Sequence, residues 1–208
     1  MKERPILFSG PMVRAILDGR KTQTRRIMKP QPTYDGFWWS HKGYSCGGEK
    51  QFRDGLPLFV GCPYGKVGDR LWVRETCCSD GWSVHYLADN DHREFGETRY
   101  DDVIKLHHYS GGFSRQVPSI HMPRWASRIT LEITGVRVER LNEISEADAY
   151  SEGVTITSGQ SFASNGNPEL RNEARCAFQS LWNSINGPES WAANPWVWAV
   201  EFKRIKTA

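Results

Sequence analysis

The sequence predicts an α+β protein, a small mixed β-barrel with flanking helices and long loop insertions. Three observations carry that prediction. Five or six candidate strands stand beside only three helical patterns. Nothing alternates in the strand–helix–strand rhythm of a doubly wound sheet. The apolar phase of the best strand shifts at Gly135, as it does where a bulge turns a barrel corner. The 208 residues read as a single domain with insertions at about 28–66, 88–120 and 157–167.

Pro5 to Phe8 reads as a short strand. Ser9 or Gly10 then caps a helix that carries Pro11 in its first turn, ends before Gly19, and has Met12, Ala15 and Ile16 on one face. Thr22 to Ile27, polar and β-branched, leaves it as an extended segment. Between 28 and 66, closely spaced residues such as Pro30, Pro32, Gly36, Gly43 and Gly47 predict a long loop, with one short strand at 58–60. Gly68-Asp69 turns into a strand over Arg70 to Thr76. A further strand at Trp82 to Leu87 precedes an irregular region running from about 88 to 120.

Ile129, Leu131 and Ile133 alternate with Thr130, Glu132 and Thr134, so one face is buried and the other wet. Ser145 to Asp148 is a helix start signal, and Gly153 ends the short helix it opens. Pro168 to Asn186 is the longest predicted helix, with Phe178, Leu181, Trp182 and Ile185 on one stripe and Gly187-Pro188 as its stop. Pro195 to Ile205 closes the chain as a strand, with Trp196, Trp198, Val200 and Phe202 sharing a face.

With 38% hydrophobic and 25% charged residues, the composition is that of a globular chain. No apolar run approaches the roughly 20 residues of a membrane helix. Arg14 interrupts the N-terminal apolar stretch, so no membrane partner and no secretory signal are expected. Five cysteines, two of them adjacent at Cys77-Cys78, read as reduced thiols in a cytoplasmic protein. The net charge of +3 does not define a nucleic-acid binder. However, Arg14, Arg20, Lys21, Arg25, Arg26 and Lys29 face only Asp18 within sixteen positions, the pattern of a phosphate footprint and equally of a solvated face. The nine Trp residues suit base stacking, and for most of them core filling is the favoured reading.

The stretch Ile16 to Arg26 carries the proposed chemistry. A Thr hydroxyl beside a Lys amine supplies a nucleophile and a base when the amine is desolvated enough to lose its proton. Strand alternation puts Thr22, Thr24 and Arg26 on one face and Lys21, Gln23 and Arg25 on the other, so pairing Lys21 with Thr24 requires a turn at Lys21. A basic turn flanked by strand-forming threonines is the plainer reading of the same residues. His41, Cys46 and Cys62, with Cys77 or Cys78, lack zinc-motif spacing, and no metal site is expected. No phosphate loop, dinucleotide fingerprint or Gly-x-Ser-x-Gly elbow is present, and no cofactor is expected.

The pattern Ile16-Leu17-x-Gly19-Arg20-Lys21-Thr22-x-Thr24-x-Arg26, followed by Gly68-Asp69-x-Leu71-x-Val73, resembles the ASCH domain of the PUA-like β-barrel superfamily. Leu71 to Thr76 and Asn194 to Trp198 are similar to the longer ASCH proteins common in bacteriophages and prophages. The resemblance covers most of the chain outside parts of 30–60, 88–118 and 157–167. It implies a PUA-like barrel whose cleft receives a nucleotide or nucleobase. In one ASCH branch, an amidohydrolase removes the acetyl group of N(4)-acetylcytidine with a Lys, a Thr and a Glu.

Lys21 and Thr24 match the first two positions, and Glu152 is the best match for the third, with Glu146 as the fallback. The resemblance then implies that Thr24 attacks the acyl carbon while Lys21 takes its proton and helps hold the oxyanion. Glu152 passes a proton to the leaving amine. Arg20, Arg25, Arg26, Trp72, Arg74 and Glu75 would contact the substrate, a nucleoside or single-stranded RNA, with DNA a further candidate. The alternative is a non-catalytic RNA or modified-base binding module that uses Lys21, Arg25, Arg26 and Trp72. A nuclease, the third reading, lacks a carboxylate cluster for metal. The oligomeric state is not indicated.

Overall fold

A computed structural model describes residues 1–111, 115–155 and 173–205. In chain order the elements are β1 (Glu3–Leu7), α1 (Gly10–Leu17), β2 (Gln23–Ile27), β3 (Thr33–Tyr34), β4 (Trp38–His41), β5 (Tyr44–Gly47), α2 (Glu49–Phe59) and β6 (Arg70–Arg74). There follow β7 (Cys77–Ser79), β8 (Ser83–Tyr86), β9 (Asp91–Glu94), α3 (Tyr100–Ser110), β10 (Thr130–Arg140), α4 (Glu146–Ser151), α5 (Glu173–Asn186) and β11 (Trp196–Ile205). The class is α+β, as expected.

Five strands run in the order β1-β6-β10-β11-β2, and two smaller sheets, β3-β4-β5 and β7-β8-β9, accompany them. Among the described residues the five-stranded sheet is open, with β1 and β2 as its end strands, so the expected barrel is not closed. Alternation in β10 shows that its sheet has a wet face. It says nothing of the strand tilt and stagger that closure requires. Contacts divide the chain into two compact units. One comprises Met1–Asp18, Asp69–Glu132 and the C-terminal residues from Arg204, and the other comprises Gly19–Gly68 and Ile133–Lys203.

In the first unit, β1 runs parallel to β6, with Ile6 opposite Val73. The Asp69 carboxylate accepts hydrogen bonds from the Lys2 backbone N–H (2.8 Å) and from Arg4 Nη1 (3.1 Å), which ties β1 to the turn before β6. Cys77, Val84, Tyr86, Leu106, Val117, Met122 and Ala126 form one core cluster. Residues 88–120 were expected to be irregular, yet α3 forms there. Asp101 and Asp102 lie in its first turn, His107 and His108 in its last, and Gly111 caps it at φ +70°. Val103, Leu106 and Ser110 are its buried positions, a stripe too narrow to stand out in so polar a segment.

Asp80 closes the β7–β8 turn. It accepts from the backbone N–H groups of Trp82 (2.8 Å) and Ser83 (2.7 Å), and it pairs with His85 Nε2 at 2.9 Å. Burial works to raise its pKa, but these bonds outweigh burial and hold it at about 2. A carboxylate depressed in the folded state stabilises fully above its ordinary value of 3.8, and that contribution is lost as pH falls through about 2. Asp80→Asn is therefore expected to flatten acid unfolding within this window when followed by circular dichroism. A mutant curve parallel to that of the natural protein would refute the assignment.

In the second unit, the stretch expected to be a loop contains β3, β4, β5 and α2, and the strand expected at 58–60 instead overlaps the end of α2. Lys42 (φ +49°) and Gly43 (φ +82°) make the two-residue turn of the β4–β5 hairpin, so glycine here punctuates ordered structure. Tertiary packing overrides the weak helix propensity of Gly55 and Pro57, because Phe52 is buried against Trp39 (5.3 Å) and Trp196 (4.9 Å).

Trp72, Trp182, Trp196 and Trp198 are buried, as the core-filling reading expects, whereas Trp38 and Trp82 are exposed. β10 runs unbroken through Gly135, while its buried positions pass from Ile133 to Val138, an odd spacing that does change phase. A Cβ at 135 would come 2.5 Å from Glu201 Oε2, so glycine leaves room for that carboxylate. Ser145 caps α4 by accepting from the Asp148 N–H at 3.0 Å. α5 is described from Glu173. The start expected at 168 and the 157–167 insertion lie outside the described residues. β11 is buried on both faces from Trp196 to Val200, where alternation predicted one.

Candidate functional site

Gly19, at φ +75°, ends α1 and releases Arg20 and Lys21 toward β2. The Thr22 N–H donates to the Ser151 carbonyl at 2.8 Å, and Lys21 forms an isolated antiparallel bridge with Glu152. Glu152 is the C-terminal cap of α4, and Gly153 beyond it takes φ +79°. Two local motifs 131 residues apart are thereby joined. Lys21 Nζ donates to Glu152 Oε2 at 2.7 Å and to the Glu152 carbonyl at 2.9 Å. Lys21 is 2% exposed and Glu152 4%. Burial pushes the Lys21 pKa down against the pull of Glu152, and the positive charges of Arg26 and Arg25 add to the lowering.

Arg25 lies beside this pair with no side-chain exposure. Its Nη1 donates to Glu152 Oε1 at 3.2 Å and its Nε to Glu139 Oε1 at 2.6 Å, while Nη2 lies 3.2 Å from Asp148 Oδ2. Arg137 bridges Glu139 and Asp148 from a half-buried position, with Nε 2.9 Å from Glu139 Oε2 and Nη2 3.0 Å from Asp148 Oδ2, and it also pairs with Glu201. Gln23 Nε2 donates to Asp148 Oδ1 at 2.9 Å and to the Asp148 carbonyl at 2.7 Å. Burial would raise the Asp148 pKa, but Gln23, Arg137 and Arg25 together hold it below the usual carboxylate range. Three cations, Lys21, Arg25 and Arg137, are thus interleaved with Glu139, Asp148, Glu152 and Glu201.

Thr24 is buried and pairs with Val200 across β2 and β11. Alternation along β2 sets it on the face opposite Gln23 and Arg25. Arg20 donates to the Gly153 carbonyl at 3.2 Å, next to Glu152. Arg26 is half-buried in β2 opposite Trp198. Glu146, the fallback acid, accepts from the backbone N–H groups of Ala174 (2.6 Å) and Arg175 (3.0 Å) and so joins α4 to α5.

Trp72, Arg74 and Glu75 belong to the first unit and make contacts of their own there. The guanidinium groups of Arg74 and Arg124 lie 4.7 Å and 5.9 Å from the Trp72 ring, and Arg74 Nη1 donates to the Ile120 carbonyl at 3.0 Å. Glu75, 1% exposed, is held by Arg128 through two bonds of 2.9 Å. Burial raises the Glu75 pKa, and Arg128 opposes the rise. The sequence reading did not identify Gln23, Arg137, Glu139, Asp148 or Glu201 as site residues. The legible signal was the shared parity of Arg137 and Glu139 in β10.

Among the described residues no three His, Cys, Asp or Glu side chains come together as a metal site, and all five cysteines are free. No helix among them is long and apolar enough to cross a membrane. Comparisons with known protein families, curated proteins and solved structures find no match to this chain.

Proposed function

We propose that this chain is an ASCH-like, PUA-like amidohydrolase that deacylates N(4)-acetylcytidine or a related modified nucleoside. One observation carries this reading. Lys21 and Glu152, assigned separately by resemblance to a known motif, are in direct contact at 2.7 Å in a buried site. Burial favours the neutral amine, the form a general base needs. In the proposed reaction the Thr24 hydroxyl attacks the acyl carbon and its proton passes to Lys21. The C–N bond then breaks, and the exocyclic amine leaves with a proton relayed from Lys21 through Glu152. Water hydrolyses the resulting ester and releases the acid. Lys21 Nζ shares the Glu152 carboxylate with Arg25, so the proton transfer requires the Thr24 hydroxyl to reach the pair from the other face of β2.

A second reading, a module that binds RNA or a modified base without turnover, is favoured by the position of Thr24 on the strand face opposite Arg25. Incubation with N(4)-acetylcytidine separates the two. Cytidine is expected to appear, and its rate to fall at least about a hundredfold in Lys21→Ala and Thr24→Ala. No cytidine at high enzyme concentration overturns the hydrolase. RNA affinity that declines with salt would then support the binding module.

A further inference from the structure

Resemblance suggests that Arg25 touches the substrate, but its surroundings indicate another role. The side chain is fully buried, and carboxylates enclose the guanidinium on three sides, namely Glu139, Asp148 and Glu152. A phosphate or ribose could reach it only by displacing one of these acids, and a phosphate would meet their combined negative charge. The two oxygens of Glu152 are divided between two cations, Oε1 accepting from Arg25 and Oε2 from Lys21. Arg25 is itself anchored by Glu139, which Arg137 grips through its second oxygen.

We propose that Arg25 is a positioning residue, which locks the Glu152 carboxylate in the orientation that presents Oε2 to Lys21 and sets the electrostatic environment of that amine. This rests on the reading of Lys21 and Glu152 as the working pair. Glu152, Arg25 and Arg26 are among the charged groups that act on Lys21. With Arg25 gone, a positive neighbour of the amine disappears and the Glu152 carboxylate, no longer shared between two cations, is left to Lys21 alone. Both changes favour the ammonium, so the proton-accepting form of Lys21 is reached only at higher pH.

The test uses Arg25→Gln, which removes the charge, and Arg25→Lys, which keeps the charge but not the planar fork. On N(4)-acetylcytidine, Arg25→Gln is expected to lower kcat about a hundredfold with KM nearly unchanged, and to move the rising limb of the pH–rate profile to higher pH. Arg25→Lys is expected to restore part of kcat and to leave that limb in place. A raised KM with unchanged kcat would make Arg25 a substrate contact and overturn the proposal.

Nitrogen NMR of lysine-labelled protein follows the Lys21 amine without turnover. Its midpoint should rise in Arg25→Gln, and an unmoved midpoint overturns the proposal whatever the substrate. If the natural protein leaves N(4)-acetylcytidine intact, the substrate reading fails while this titration still decides the role of Arg25. Should Arg25→Gln not fold, Glu139→Gln loosens the anchor. It is expected to lower kcat about tenfold and to lower the Lys21 midpoint, because the Arg25 charge is then less compensated, and no change in either would count against the proposal.

Discussion

Glu152→Ala is expected to lower stability by about 3–5 kcal/mol, because it leaves the Lys21 amine buried without its counterion. Lys21→Met is expected to cost less, about 1–2 kcal/mol, since Glu152 keeps Arg25 at 3.2 Å and loses mainly a hydrogen bond to a buried acceptor. The two losses should also differ in their pH dependence. The folded-state pKa of Lys21 lies below its ordinary 10.5, so the charged amine costs stability at lower pH and the cost is relieved as pH rises toward 10.5. Without Glu152 that pKa falls further, and the Glu152→Ala deficit shrinks between neutral and alkaline pH. Urea unfolding of both variants at the two pH values checks this. Equal losses, or a Glu152→Ala deficit indifferent to pH, would show that the pair is not energetically coupled.

Trp196→Ala is the second large effect, about 3–5 kcal/mol for emptying a fully buried aromatic site. The ring is 1% exposed, packs edge-on to Trp39 (5.2 Å) and Phe52 (4.9 Å), and lies under the Arg140 guanidinium at 4.4 Å. The cavity would also release α2 and β4, which bear Phe52 and Trp39. The loss in urea midpoint should therefore come with faster amide exchange in α2 and β4, and with little change in the core around Tyr86 of the first unit. Unchanged exchange in α2 would mean that other contacts hold that helix.

These predictions draw on features with very different sequence visibility. The ends of α1 and α4, the alternation of β10 and the β11 segment were readable because each depends on residues a few positions apart: Pro11 and Gly19, Ser145 and Asp148, Ile129 to Ile133. α2 and α3 were not readable. Gly55 and Pro57 signal a break in one, and the other buries only three of its 11 residues. What stabilises α2 is an aromatic contact to Trp196, more than a hundred residues away in sequence.

The candidate site divides along the same line. Lys21 and Thr24 could be singled out by residue type and spacing, whereas Glu152 and the three in the first unit, Trp72, Arg74 and Glu75, came only through resemblance to a known family. Their contacts were legible in neither way. Local propensity, capping and turn chemistry act within a turn or two of backbone, so the linear chain alone specified where α1, β2, β10 and α4 lie and which side chains are chemically capable. Contact between Lys21 and Glu152, enclosure of Arg25 by three acids and the open edges of the sheet were decided only on folding. Each depends on closing a long loop and withdrawing charges from water together, and those free energies exist only once the distant partners meet.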